Sequence, residues 1–145
     1  MKAKVAKELH WEMSHRLPFH DGGCKNIHGH SYKARVELTG ELDENGFLID
    51  FYEIERIFTP IIQLLDHAFV CDAQDTLMLN FLKANGFKHY VIENTTTSEN
   101  MATLLLDLSL PELHRHKNLE KVTIRFWETL DSFAEIEKEL NNGEH

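Results

Sequence analysis

The chain has 145 residues, 42% of them hydrophobic and 27% charged, which is the size and composition of one globular domain with a single core. Its 15 Lys and Arg against 24 Asp and Glu leave a formal net charge of −9. That balance excludes a general grip on nucleic acid or an anionic membrane surface, since both need basic patches, and leaves small molecules or protein as the expected partners.

No stretch approaches the roughly 20 apolar residues that a bilayer span needs, and no apolar run follows the lysines of residues 1–7, so the expected location is cytoplasmic. No repeat, low-complexity tract or linker divides 1–145, which reads as a single domain. Cys24 and Cys71 read as reduced thiols rather than a disulfide.

Residues 3–15 alternate, with Val5, Leu9, Trp11, Met13 and His15 on one face and Lys4, Glu8, His10, Glu12 and Ser14 on the other. This predicts a half-buried strand over 5–15, on which His15 faces inward and His10 outward. The connection from Arg16 to Ile27 carries Pro18, Asp21, Gly22 and Gly23, residues that break strands and form turns, and is long enough to fold over a pocket.

Next comes Cys24-Lys25-Asn26-Ile27-His28-Gly29-His30, a thiol and two imidazoles within seven residues. From His28 a second strand runs to residue 39, with His28, His30, Tyr32, Ala34, Val36 and Leu38 on its apolar face. If the two strands pair antiparallel, His15, His28 and His30 converge. Three neutral imidazoles with a position left open make the ligand set of a catalytic zinc, whereas a structural zinc is normally closed by four ligands. His20 is a spare candidate ligand of unfixed direction, and His89, His114 and His116 are expected at solvated edges.

Asp50 with Glu53 forms a helix-capping signature ahead of Phe51, Ile54, Ile57, Phe58, Ile61, Leu64 and Leu65, the period of an amphipathic helix, which Pro60 is expected to kink or restart. Asp66-His67 follows its end. Asp75 is a cap for a short helix over 77–85 closed by Gly86, before a strand-like Tyr90-Val91-Ile92. Thr96 with Glu99 offers a capping box for a helix carrying Met101, Leu104, Leu105 and Leu108; Thr97 and Glu99 serve either as plain caps or in binding a ligand.

Residues 120–128 alternate again, and Glu128 follows Val122, Ile124 and Phe126 on the inward side. A buried carboxylate needs a partner there: a ligand's N–H edge, a cation or a structural group. A last strand over 132–137 completes the expected class, α+β, with a four-stranded antiparallel sheet and two main helices inserted between strands 2 and 3.

Taken together and in order, Cys24-x-x-x-His28-Gly29-His30, His15, Asp66-His67, Thr97-Ser98-Glu99-Asn100 and Glu128-Thr129 resemble the 6-pyruvoyltetrahydropterin synthase family. The three residues between Cys24 and His28 resemble its bacterial 6-carboxytetrahydropterin synthase branch, of queuosine biosynthesis, more than the animal biopterin enzymes. The segment 69–93 departs from the shorter versions of that branch.

The resemblance implies a tunnelling fold, in which sheets join into a closed barrel and two rings stack as a homohexamer with active sites at subunit interfaces. It implies conversion of 7,8-dihydroneopterin triphosphate to 6-carboxy-5,6,7,8-tetrahydropterin, acetaldehyde and triphosphate, with no external redox cofactor. It further implies zinc on His15, His28 and His30 as a Lewis acid, Cys24 as general base, and His67 oriented by Asp66 as the second proton carrier. Glu128 would anchor the pterin, Thr97 and Glu99 would add contacts, and Arg16 and Lys25 are candidates for the triphosphate. A zinc hydrolase, a triphosphate-eliminating synthase and a non-catalytic pterin- or zinc-binding relative are the alternatives.

Overall fold

In a computed structural model that describes residues 1–140, the chain folds as an α+β domain. The strands, in chain order, are β1 (Lys2–His15), β2 (His28–Glu41), β3 (Ala68–Asp72), β4 (His89–Ile92), β5 (Leu119–Trp127) and β6 (Phe133–Glu139). The helices are α1 (Phe51–Leu65), α2 (Thr76–Asn85) and α3 (Ser98–Leu113).

Alternation sets the pairing of the long strands. β1 and β2 run antiparallel over their whole length, from Lys2 opposite Glu41 to His15 opposite His28, so the apolar rows of both face one side. β5 pairs antiparallel with β2, and β6 with β5. The register of β2 on β5 shifts between Thr39 and Gly40. A Cβ on Gly40 would lie 2.0 Å from the Asn118 carbonyl oxygen, so only glycine admits this close approach. Trp11, Tyr32, Val36, Leu38, Ile124 and Phe126 meet Phe58, Leu65, Met101 and Leu105 of α1 and α3 in one core.

The sheet has six strands in the order β4-β3-β1-β2-β5-β6, where the sequence led to an expectation of four, and it is mixed rather than wholly antiparallel. β3 lies parallel to β1 through Met13 opposite Ala68 and Ser14 opposite Phe69, and β4 lies parallel to β3. The physical reason is burial. Residues 68–71 are all buried, so the strand is a continuous apolar run with no alternation to detect.

A third helix, α2, completes this extra unit and packs Met78 and Leu82 on Phe69 and Cys71 in a small separate core. Both cysteines are free thiols, and burial raises Cys71 to about 11. No helix among the described residues is long and apolar enough to cross a membrane.

Two local expectations change. α1 does not restart at Pro60 but runs on through it, with Thr59 and Pro60 on its exposed side. α3 is capped by Thr97, whose hydroxyl accepts from the Asn100 N–H at 3.2 Å, and not by Thr96, which is buried and occupied elsewhere. Asp75 caps α2 as expected, accepting from the Met78 N–H.

Asp75 also takes both Nε and Nη2 of Arg16 at 2.7 Å, clamping the residue after His15 to the β3–α2 unit. The Arg16 hydrogen bonds hold the Asp75 carboxyl below its ordinary 3.8. A depressed carboxyl contributes stability at pH above its unfolded value and loses it as the pH falls through the folded one. Asp75→Asn is therefore expected to lower neutral-pH stability by about 1–3 kcal/mol, the usual cost of a hydrogen bond to a charged group. The wild type should then lose more stability than the variant between pH 4 and pH 2 in denaturant titrations; parallel acid profiles would contradict the clamp.

Candidate active site

The antiparallel register places His15, the last residue of β1, directly opposite His28, the first of β2, with His30 one inward position further along. The ring centroids lie 4.6 Å apart for His15 and His28, 5.0 Å for His28 and His30, and 5.6 Å for His15 and His30. One ring nitrogen from each comes within 4.8 Å of the others.

The outward nitrogens are already committed. His15 Nδ1 lies 2.9 Å from the Thr96 carbonyl oxygen and 3.1 Å from its hydroxyl, and His28 Nδ1 lies 2.7 Å from the Asn26 carbonyl. A carbonyl only accepts, so Nδ1 carries the proton in both rings and Nε2 keeps its lone pair. The Nε2 atoms of His15, His28 and His30 are buried and have no hydrogen-bond partner. Three converging buried ring nitrogens without a partner are a costly arrangement for an empty core and a fitting one for a metal ion, with the Nδ1 contacts orienting His15 and His28.

Burial lowers His15 and His30 below the ordinary 6.5; the Glu128 charge opposes the shift and neighbouring imidazoles add to it. The rings are thus neutral at pH 7, as metal ligands must be.

Glu128 joins them. Its Oε1 lies 3.7 Å from His15 Nε2, beyond hydrogen-bond length but inside the same pocket mouth, and its side chain is 28% exposed. Cys24 sits half-buried on a 3₁₀ turn, Gly23–Lys25, whose carbonyl at Cys24 accepts from the Leu17 N–H at 2.7 Å, folding the connection back over the end of β1. Its thiol is outside the group of three ring nitrogens.

Asp66 and His67 are placed differently. The Asp66 carboxylate accepts from the Glu12 N–H at 3.0 Å, and His67 donates its own N–H to the Glu12 carbonyl at 2.6 Å, which docks the pair on β1. His67 has a φ of 59°, its Nδ1 is 3.0 Å from Asp66 Oδ1, and its side chain is 76% exposed. It lines a pocket with Glu12, Met13, Ser14 and Ser31, and the same pocket is lined by His30. Among the described residues it makes no hydrogen bond or ring contact with the three imidazoles of its own chain.

Thr97 has the cap role already described and Glu99 is exposed in the same turn. His20 accepts from the Gly22 N–H in the connection and is not among the converging nitrogens. Arg16 is taken by Asp75, which removes it from the candidates for binding an anion, while Lys25 stays exposed. His116 is not at a solvated edge: its Nε2 is 2.9 Å from Glu53, whose carboxyl Arg56 and His116 together hold down at about 2. Sequence reasoning missed Thr96 as the orienting partner of His15, because that contact joins residues 81 apart.

The family model for 6-pyruvoyl tetrahydropterin synthase matches residues 4–139. The chain belongs to that family. It is 33% identical over 143 residues to the 6-carboxy-5,6,7,8-tetrahydropterin synthase of Haemophilus influenzae, covering 93% of this chain and 99% of the relative. To the enzyme of the same name from Aquifex aeolicus it is 27% identical, covering 96% and 100%.

Among solved structures, an uncharacterized Wolinella succinogenes protein superposes with a TM-score of 0.81 at 22% identity, covering 94% of this chain and 98% of that one. The 6-pyruvoyl tetrahydropterin synthase of Plasmodium vivax superposes at 0.76 with 16% identity, covering 96% and 99%. The fold is thus the tunnelling fold of these synthases. Metal analysis of the purified protein is expected to find about one divalent ion per chain, lost in His28→Ala and kept in His20→Ala. Full retention in a His28→Ala, His30→Ala double variant would remove the site.

Proposed function

We propose that this chain is a zinc-dependent 6-carboxy-5,6,7,8-tetrahydropterin synthase of queuosine biosynthesis. It converts 7,8-dihydroneopterin triphosphate and water to 6-carboxytetrahydropterin, acetaldehyde and triphosphate. The observation that carries this reading is the meeting of three buried imidazole Nε2 atoms, unpartnered among the described residues, with the Glu128 carboxylate 3.7 Å from that of His15. One group of ligands suits a cation, and the acceptor beside it suits the amino and ring N–H edge of a pterin.

Zinc bound there supplies Lewis-acid polarisation of the substrate's side-chain oxygens. Every proton is then moved by the chain's own residues. Cys24, on the turn over the site, takes the proton from the side-chain carbon as general base. His67, held by Asp66, returns or relays a second proton. Thr97 and Glu99 add contacts to the pterin from the first turn of α3, and Lys25 faces the triphosphate.

The 76% exposure of His67, and its lack of any hydrogen bond to the imidazoles among the described residues, support a site completed between subunits, with Asp66-His67 of one protomer serving the imidazoles of its neighbour. Free edges support the same assembly. β6 ends the sheet, and β1 pairs with β3 only at Met13 and Ser14, so most of β1 has one open side. Closure of such sheets into the barrel of a homohexamer covers both edges. The reaction is placed in the cytoplasm.

Incubation with 7,8-dihydroneopterin triphosphate, followed by mass identification of products, tests the reading: 6-carboxytetrahydropterin with acetaldehyde is expected. A 6-pyruvoyl product would move the chain to triphosphate elimination, and simple hydrolysis that survives Cys24→Ala would make it a zinc hydrolase. In the synthase, Cys24→Ala should keep metal and pterin binding while turnover falls by roughly 10² to 10⁴. Near-normal turnover would end the base assignment.

A further inference from the structure

The inward row of β2 continues past His28 and His30 to Tyr32. The β2–β5 ladder ends at Lys33 opposite Trp127, so Tyr32 and Glu128 are the next residues along the two strands, Glu128 in the bend that follows β5. Tyr32 is 1% exposed. Its ring stacks on Trp11 at 5.8 Å, lies 5.3 Å from Phe126, and meets His30 edge-on at 5.3 Å and His15 at 6.2 Å.

Phenylalanine would satisfy all of that packing. The hydroxyl is what phenylalanine lacks, and it is buried with no hydrogen-bond partner among the described residues. A buried, unpaired hydroxyl is a standing cost, of the kind tolerated where a ligand-bound state repays it. After burial, the main electrostatic influence on this hydroxyl is Glu128, a residue of the candidate site.

Glu128 faces two competing uses. A carboxylate 3.7 Å from a ligand nitrogen can swing onto a dication's open position, or it can stay back to receive a pterin's paired N–H groups. A neutral O–H donor across the strand favours the second.

We propose that Tyr32 is a positioning residue for pterin recognition, its hydroxyl donating to the Glu128 carboxylate and holding it toward the pterin instead of the metal. The inference rests on the pterin reading of Glu128. It assigns Tyr32 no contact with the reacting atoms and no proton transfer.

The test is a double-mutant cycle on the metal-loaded protein, with neopterin, a non-reacting oxidised pterin, as the probe and Kd as the readout. Tyr32→Phe is expected to weaken neopterin about tenfold, the effect of losing one hydrogen bond to a charged group, while metal content stays the same. The Tm of the metal-free variant should stay level or rise, since an unpaired polar atom has gone. In a Glu128→Gln background, itself expected to bind at least tenfold more weakly, Tyr32→Phe should change Kd less than twofold.

An undiminished tenfold loss in that background would mean Tyr32 touches the pterin directly, and would overturn the proposal. So would an unchanged Kd in Tyr32→Phe alone while Glu128→Gln weakens binding, or a Tm loss of several degrees in the metal-free variant. If Glu128→Gln itself leaves neopterin affinity unchanged, the pterin reading of Glu128 fails first and takes this inference with it.

Discussion

The antiparallel register of β1 on β2 is the constraint on which the rest of the molecule depends. Because side chains alternate, a slip of one residue would turn His15 away from His28 and send Trp11 and Met13 to the polar face. The register that buries the apolar rows is therefore the same one that brings the three imidazoles together. Core and site are specified by a single pairing, and α1 and α3 hold that pairing by covering the apolar side.

Around this pairing, two of the three ligands are oriented by neighbours of different origin. Thr96, from the approach to α3, fixes His15, and Asn26, from the turn before β2, fixes His28. Arg16 leaves β1 immediately after His15 and is anchored by Asp75, so the β3–α2 unit steadies the same strand end. Its Nη1 also reaches the Lys25 carbonyl at 3.4 Å, next to Cys24. The extra segment thus supports the connection that carries the thiol, which gives residues 69–93 a structural reason of their own. Asp66-His67 is fixed just as firmly through Glu12, and His67 points into solvent beside the pocket it shares with His30, which is where a second copy enters the chemistry proposed above.

The long strands and main helices were legible in the sequence because period-2 and period-3.6 patterns record one-sided burial, as in Trp11, Met13 and His15, or Ile54, Ile57, Phe58 and Ile61. β3 was not, since Ala68, Phe69, Val70 and Cys71 are covered on both faces and carry no alternation. The start of α3 was misplaced by one residue because Thr95, Thr96, Thr97 and Ser98 offer four hydroxyls in a row, and the choice among them is made by distant His15, which takes Thr96. The imidazole set was legible because spacing and face both fix it. The nearness of Tyr32 and Glu128 at the end of the β2–β5 ladder, and the capture of Arg16 by Asp75, depend on contacts between distant segments that local patterns do not encode.

The central claim is that three imidazoles alone hold the metal while Cys24 stays free to act as a base. Zinc K-edge X-ray absorption on the loaded, substrate-free protein tests it most directly. The account predicts a first shell of three imidazole nitrogens at about 2.0–2.1 Å with one further light atom, and no sulfur. A sulfur scatterer at about 2.3 Å that disappears in Cys24→Ala would contradict it, making Cys24 a ligand and leaving the site without its base.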